Sequence, residues 1–172
     1  QANVIPTVFE TLTRENEAAQ IAPFLAARVE ALDQGRRFRF RLREDVRFHD
    51  GRPLTARDVR WSFLRMLKSR ANENRWLLSS IVGARQLLED GQGELEGLRV
   101  ESDHDVSVEL QKAVSVFPAL LAHPSTAIVP EGADAFESNW SNGVVGTGPF
   151  RVTHFAPGAR LELEANPGYW RP

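Results

Sequence analysis

Seven residues constrain this chain more than any others. From position 37 to 43 it reads Arg-Phe-Arg-Phe-Arg-Leu-Arg, with Phe38, Phe40 and Leu42 on one parity and four arginines on the other. A strict period of two puts alternate side chains on opposite faces of a strand, so this segment is a strand with one buried face and one wet face. Two more segments of the same kind follow. Leu98 and Val100 alternate with Arg99 and Glu101, and Val106, Val108 and Leu110 alternate with Ser107 and Glu109. Asp103-His104-Asp105 between them reads as a hairpin turn. If the three strands share one sheet, Glu101 and Glu109 lie on the same solvent face as the arginine row. Opposite charges on neighbouring strands stabilise by about 0.2–1 kcal/mol a pair.

That arrangement accounts for an uneven charge distribution. Residues 36–70 hold eleven arginines and Lys68 against four acids, while residues 89–110 hold eight acids and one base, Arg99. A basic face for a polyanion is the competing explanation. Pairing within the sheet is the better one, and a net charge of -2 argues against nucleic acid as a partner.

The remaining elements are read from their local signals. Residues 7–13 form a short apolar element before a polar turn at 14–20, and residues 21–29 read as weakly helical, with Pro23 in the first turn. Asp33-Gln34-Gly35 is a turn. Residues 55–69 are the clearest helix, with Thr55 as N-cap, Asp58 three residues on, and Val59, Phe63, Met66 and Leu67 on one face. Trp61 falls on the charged face, where Arg57 and Arg65 are placed to stack on it. Helix is expected around 76–78, at 84–88 and at 117–122, a short strand at 126–129, irregular chain at 131–142, and a hairpin of 150–155 with 160–164.

Composition excludes several functions. Cysteine is absent, so disulfides and thiolate metal sites are impossible. The four histidines are scattered at 49, 104, 123 and 154, and no catalytic or phosphate-binding motif is present. No enzyme activity, metal or cofactor is expected. No apolar run approaches the roughly 20 residues of a membrane helix.

Three turn-rich strings remain. The first is Leu42-Arg43-Glu44-Asp45-Val46-Arg47-Phe48-His49-Asp50-Gly51-Arg52-Pro53-Leu54-Thr55-Ala56-Arg57-Asp58-Val59. The second is Gly146-Thr147-Gly148-Pro149-Phe150, and the third Asn166-Pro167-Gly168-Tyr169-Trp170. In this order and spacing they resemble the family 5 extracellular solute-binding proteins, the peptide- and nickel-binding components of ABC importers. Physically each string is a fold signature: Asp50-Gly51 turns the chain, Pro53 and Thr55 launch a helix, and Gly146 and Gly148 permit a tight backbone.

The resemblance implies an α+β fold, a mixed sheet with flanking helices, forming part of lobe one of a type II periplasmic-binding-protein-like two-lobe fold. It implies three segments: 1–23 in lobe one, 24–144 as an inserted subdomain, and 145–172 returning to lobe one, with the second lobe outside this chain. It implies an oligopeptide or other small ligand, an ABC-importer permease as partner, and a periplasmic or extracytoplasmic location. The same domain resembles the sensory part of some transcription regulators, which would make it cytoplasmic. Ligand contacts are implied at Phe9-Glu10-Thr11-Leu12, where Glu10 would offer a carboxylate and Thr11 stands in place of the family's glycine. Trp76 would be a cleft wall, with packing in the core as the competing reading, and His123 a cleft residue, with a structural role at a helix end as the competing one. A single lobe should bind weakly, and apolar residues in 1–23 and 145–172 should drive non-physiological self-association.

Overall fold

The computed structural model describes residues 4–133, 144–156 and 159–171. Its centre is a four-stranded antiparallel sheet of β3 (Ala26–Leu32), β4 (Arg37–Leu42), β6 (Asp105–Glu109) and β5 (Leu98–Ser102), in the order β3-β4-β6-β5. The alternation in β4 is realised residue by residue: Phe38, Phe40 and Leu42 are buried and Arg37, Arg39 and Arg41, which alternate with them, are exposed. Phe38 faces Val108 and Phe40 faces Val106 across the β4–β6 ladder, while Arg37 faces Glu109 and Arg41 faces Asp105. The three predicted strands do share one sheet with their charges outward. The strongest ion pair of that face is Arg41 with Asp105, at 2.5 Å, and Arg99 reaches Glu109 at 3.8 Å.

The buried face of the sheet is closed by α2 (Ala56–Lys68), against which α3 (Ala84–Asp90) packs. Helix α2 begins where Thr55 is extended and the Asp58 carboxylate accepts from the Thr55 N–H at 2.7 Å. The other Asp58 oxygen accepts from the Glu131 N–H at 2.8 Å, so the capping residue also ties the helix to a distant segment. Val59, Phe63, Met66 and Leu67 enter a core shared with Phe38, Phe40, Leu78, Ile81 and Phe117. Each such side chain contributes about 1.5–3 kcal/mol on burial.

Two expected elements differ. Residues 21–29 are not helical. Ile21–Pro23 forms β2, paired with β1 (Thr13–Glu15), and Ala26 onward is β3. Alanines favour helix intrinsically, but pairing with β4 through the tight turn at Asp33, Gln34 and Gly35, all at positive φ, overrides that preference. Residues 126–129 are not a strand. Pro124–Thr126 is a 3-10 turn, and the chain beyond it is held by single bonds: Ile128 N–H to the Glu10 carbonyl at 2.9 Å and Val129 N–H to Ser62 Oγ at 2.9 Å. Val100, expected inward beside Leu98, is exposed at a bulge in edge strand β5. Most of the irregular stretch 131–142 lies outside the described residues.

The hairpin of β7 (Phe150–Ala156) and β8 (Arg160–Ala165) forms as expected. It packs Val152 and Leu163 on a second, smaller apolar cluster of Val8, Phe9, Ala127, Val129 and Val144. The chain start contributes the short helix α1 (Ile5–Val8), and α4 (Phe117–Leu120) carries Phe117 into the main core.

Candidate ligand groove

The three turn-rich strings are far apart in sequence and meet at one place. Glu10 is buried, and its carboxylate accepts from the Thr147 hydroxyl at 2.8 Å, the Tyr169 hydroxyl at 2.7 Å and the Trp170 indole at 2.9 Å. Desolvation outweighs those three donors and holds the Glu10 pKa above the ordinary carboxylate value, while burial, and after it the bond to Glu10, pushes the Tyr169 phenol up.

His49, from the first string, clamps the second. Its Nδ1 accepts from the Gly146 N–H at 3.2 Å, so the neutral ring carries its proton on Nε2, which reaches the Gly148 carbonyl at 3.0 Å. Burial holds the His49 pKa below its ordinary value. Asn166 of the third string donates to the same Gly148 carbonyl at 3.1 Å. The glycines are needed for proximity: a Cβ at Gly146 would lie 2.0 Å from the Val8 carbonyl oxygen, and one at Gly148 2.4 Å from that of Thr7. All three strings therefore act as fold signatures.

Glu10, Thr11 and Leu12 accordingly lie inside the molecule. Glu10 has its carboxylate occupied, the Thr11 hydroxyl donates to the Thr13 carbonyl at 2.6 Å, and Leu12 belongs to the main core. The strip borders the His123 segment through the Glu10 carbonyl and Ile128 N–H.

The open site is elsewhere. A groove of about 980 Å³ runs between the outer face of α2, residues 69–74 and residues 123–127, with Ile5 at one edge. Trp61 and Leu64 give it an apolar wall, Lys68 and Glu73 charges of both signs, and Asn72, Asn74 and Ser125 hydrogen-bonding groups. Asn74 Nδ2 donates to Ser125 Oγ at 3.0 Å, joining two of the walls. His123 lines the groove, with Nδ1 accepting from the Ser125 N–H at 3.1 Å, which leaves Nε2 as the free position. Trp76 sits two residues beyond Asn74, outside the groove lining, and is 57% exposed, so it is not a core residue.

Of the residues the sequence singles out as ligand contacts, His123 lines the groove and Trp76 does not, while Trp61, which the sequence places only on a charged helix face, forms part of its wall. The signal was present, since Trp61 and Leu64, three residues apart, put apolar surface on the otherwise charged side of α2. Trp61 also donates its indole N–H to the Ala133 carbonyl at 3.4 Å. Among the described residues no group of His, Asp or Glu is placed to hold a metal ion, and no helix is long and apolar enough to cross a membrane.

Comparison with known proteins places the chain among relatives of similar sequence and fold. The periplasmic oligopeptide-binding protein OppA of Escherichia coli (strain K12) is 28% identical over 99% of this chain and 32% of its own length. The probable deoxycholate-binding periplasmic protein YgiS of the same strain is 27% identical over 98% and 33%. The substrate-binding domain of an oligopeptide ABC transporter from Bacillus anthracis str. Ames matches in fold with a TM-score of 0.85 at 24% identity, covering 97% of this chain and 33% of that one. The chain thus spans about a third of the length of these relatives and carries part of one lobe of their fold. The family described as bacterial extracellular solute-binding proteins, family 5 Middle, matches residues 20–172. This chain belongs to the family 5 bacterial extracellular solute-binding proteins.

Proposed function

We propose that this chain forms part of the ligand-capturing lobe of a solute-binding protein that delivers oligopeptides to an ABC-importer permease outside the cytoplasm. The observation that carries the reading is the groove beside α2. It combines an apolar tryptophan wall with amide and hydroxyl groups and charges of both signs, the set that a zwitterionic peptide with varied side chains needs. The oligopeptide-binding relatives support the same ligand class.

In this reading His123 offers Nε2 to the peptide, and Trp76, exposed two residues beyond the lining residue Asn74, adds an aromatic contact outside the lining itself. Glu10, Thr11 and Leu12 support the site indirectly: the Glu10 carbonyl holds Ile128 next to the lining residue Ala127, the Thr11 and Leu12 carbonyls hold residues 24–26, and the Glu10 carboxylate locks the return segment. The division into 1–23, 24–144 and 145–172 belongs to the reading too. Two apolar clusters bear on it: one gathers residues 25–128 together with Leu12, and the other joins Val8 and Phe9 to Ala127, Val129 and Val144, so the end of the middle segment packs with the first. The function is ligand capture without chemistry on the ligand.

Saturation-transfer NMR with the 172-residue chain and an equimolar mixture of tri- to pentapeptides, free amino acids, deoxycholate and a nickel–histidine complex tests the ligand class. It suits weak binding, which is expected because a second wall normally buries much of such a ligand. Peptide signals should dominate the difference spectrum. Transfer to deoxycholate or to free amino acids in preference to peptides would overturn the reading.

A further inference from the structure

Helix α2 lines the groove with one face and holds the opposite wall with another. Trp61, Leu64 and Lys68 lie on the lining face, whereas Asp58 and Ser62, one turn apart, are buried. These two side chains hold the chain that continues from the His123 wall. Residues 127–133 belong to no helix or strand, so no ladder fixes them. They are tied to α2 by single bonds. The Val129 N–H donates to Ser62 Oγ at 2.9 Å, and the Glu131 N–H donates to Asp58 Oδ1 at 2.8 Å. The far end reaches the lining itself, because the Ala133 carbonyl accepts from the Trp61 indole at 3.4 Å.

Both acceptors are oriented by the helix. Ser62 directs its proton to the Asp58 carbonyl one turn back, at 2.7 Å, with the Val129 carbonyl also in reach at 3.2 Å, and its oxygen stays open to the Val129 N–H. The other Asp58 oxygen accepts from the Thr55 N–H at 2.7 Å and the Thr55 hydroxyl at 2.8 Å, which fixes the carboxylate plane. Asp58, Ser62 and Val129 are all buried, so water does not replace a bond lost here. Two residues lead back from Val129 to Ala127, and with Ser125 and His123 that residue forms the wall facing α2. Asn74 fastens the same wall at Ser125, and the Glu10 carbonyl fastens Ile128.

Taking the groove as the peptide site, we propose that Ser62 and Asp58 are its positioning residues, an inference that rests on that reading. They set the spacing between the α2 wall and the 123–127 wall, and through the strap that ends at Ala133 they hold the Trp61 ring in its lining position. Neither side chain lines the groove, so both act through the residues they hold. A wall hung on single buried bonds moves when one of them is cut, whereas a strand in a ladder keeps its place on the bonds that remain. Peptide affinity therefore depends on two buried groups on the far side of the helix from the ligand.

The probe is trialanine, titrated into the 172-residue chain and followed by ¹H–¹⁵N NMR at the Trp61 indole and the Ser125 and Ala127 amides. Ser62→Ala deletes one strap acceptor and Asp58→Asn impairs the other. Thr55→Ala is the control: it weakens the cap of the same helix but leaves both strap acceptors in place. Ser62→Ala should weaken trialanine binding by about three- to tenfold, the equivalent of one hydrogen bond, and Thr55→Ala should keep the wild-type affinity. In the free chain Ser62→Ala should also move the Trp61 indole and Ala127 resonances and speed hydrogen exchange at the Val129 amide, none of which Thr55→Ala does. Circular dichroism checks the fold of each variant, and Asp58→Asn, read at the Glu131 amide, carries the same test should Ser62→Ala not fold. Wild-type affinity in the strap variants, or an equal loss in Thr55→Ala, would overturn the positioning role and leave the groove standing. Trialanine that binds the wild type without moving Trp61, Ser125 or Ala127 would overturn the groove, and the positioning role with it.

Discussion

Removing the Glu10 carboxylate should unfasten the return segment, and the structure sets the size of the effect. In Glu10→Ala three donors lose their acceptor at once. The Thr147 hydroxyl is fully buried, so it bears the desolvation cost of an unmade bond, about 1–3 kcal/mol. Tyr169 and Trp170 are only half-buried and can turn to water, so each forfeits roughly the net worth of one bond, about 1–1.5 kcal/mol. The expected loss is about 3–6 kcal/mol, a large share of the roughly 5–15 kcal/mol that holds a typical domain together.

Glu10→Gln separates shape from charge. Its carbonyl keeps the indole and one hydroxyl, and its NH₂ meets the Tyr169 oxygen, which can accept, so the cost should be about 1 kcal/mol. Burial raises the folded-state pKa of Glu10 above the unfolded value of 4.5. The folded chain therefore holds this proton more tightly than the unfolded chain does. Wild-type stability falls as pH rises from the unfolded pKa through the folded one, then levels off. The glutamine variant lacks that loss, so its penalty should shrink toward higher pH. Urea unfolding followed by tryptophan fluorescence, repeated from pH 4.5 to 8, measures both effects. A Glu10→Ala penalty below about 1 kcal/mol would refute the three-donor argument. A Glu10→Gln penalty that grows with pH would show that the fold favours the ionised form and that the desolvation argument fails.

Three further outcomes are expected. His49 has a folded pKa below the unfolded value of 6.5, so its contribution is complete at higher pH and is lost as pH falls from 6.5 through the folded pKa; thermal melts should show the wild type losing stability faster than His49→Gln over that fall. Gly146→Ala, whose Cβ would meet backbone at 2.0 Å, should cost about 3 kcal/mol in urea unfolding, whereas Gly51→Ala, with open space but a φ of +87°, should cost only about 1–2 kcal/mol; equal costs would contradict the proximity argument. Trp76→Ala should change stability by less than about 0.5 kcal/mol because the ring is exposed, and should weaken but not abolish the peptide signal in saturation-transfer NMR because Trp76 stands outside the groove lining.

Legibility in the sequence followed the range of the interaction. The β4 alternation and the Thr55–Asp58 cap are local, and both predicted their elements correctly. Ala26-Ala27-Arg28-Val29 misled because its strand is dictated by β4, not by its own residues. The lock at Glu10 was beyond reach, since its partners lie 137, 159 and 160 residues away and nothing near Glu10 announces them. Glu10 therefore read as a ligand carboxylate when its side chain is spent inside the fold. Trp61 was noticed as misplaced on a charged face, but only the neighbouring segments 69–74 and 123–127 turn it into a wall. The strap bonds of Ser62 and Asp58 reach residues 67 and 73 positions away, a juxtaposition that no spacing rule contains.

The central claim is that the groove beside α2 takes peptide. It is tested most directly by a two-dimensional ¹H–¹⁵N titration of the chain with a neutral tripeptide, reading the indole resonances of Trp61, Trp76 and Trp170 and the backbone amides of residues 69–74 and 123–127. The account predicts saturable shifts at Trp61, at Trp76 and at His123 and Ser125, with Trp170 unmoved. Shifts confined to Trp170 and the Glu10 strip, or saturable binding that leaves all groove resonances in place, would contradict it.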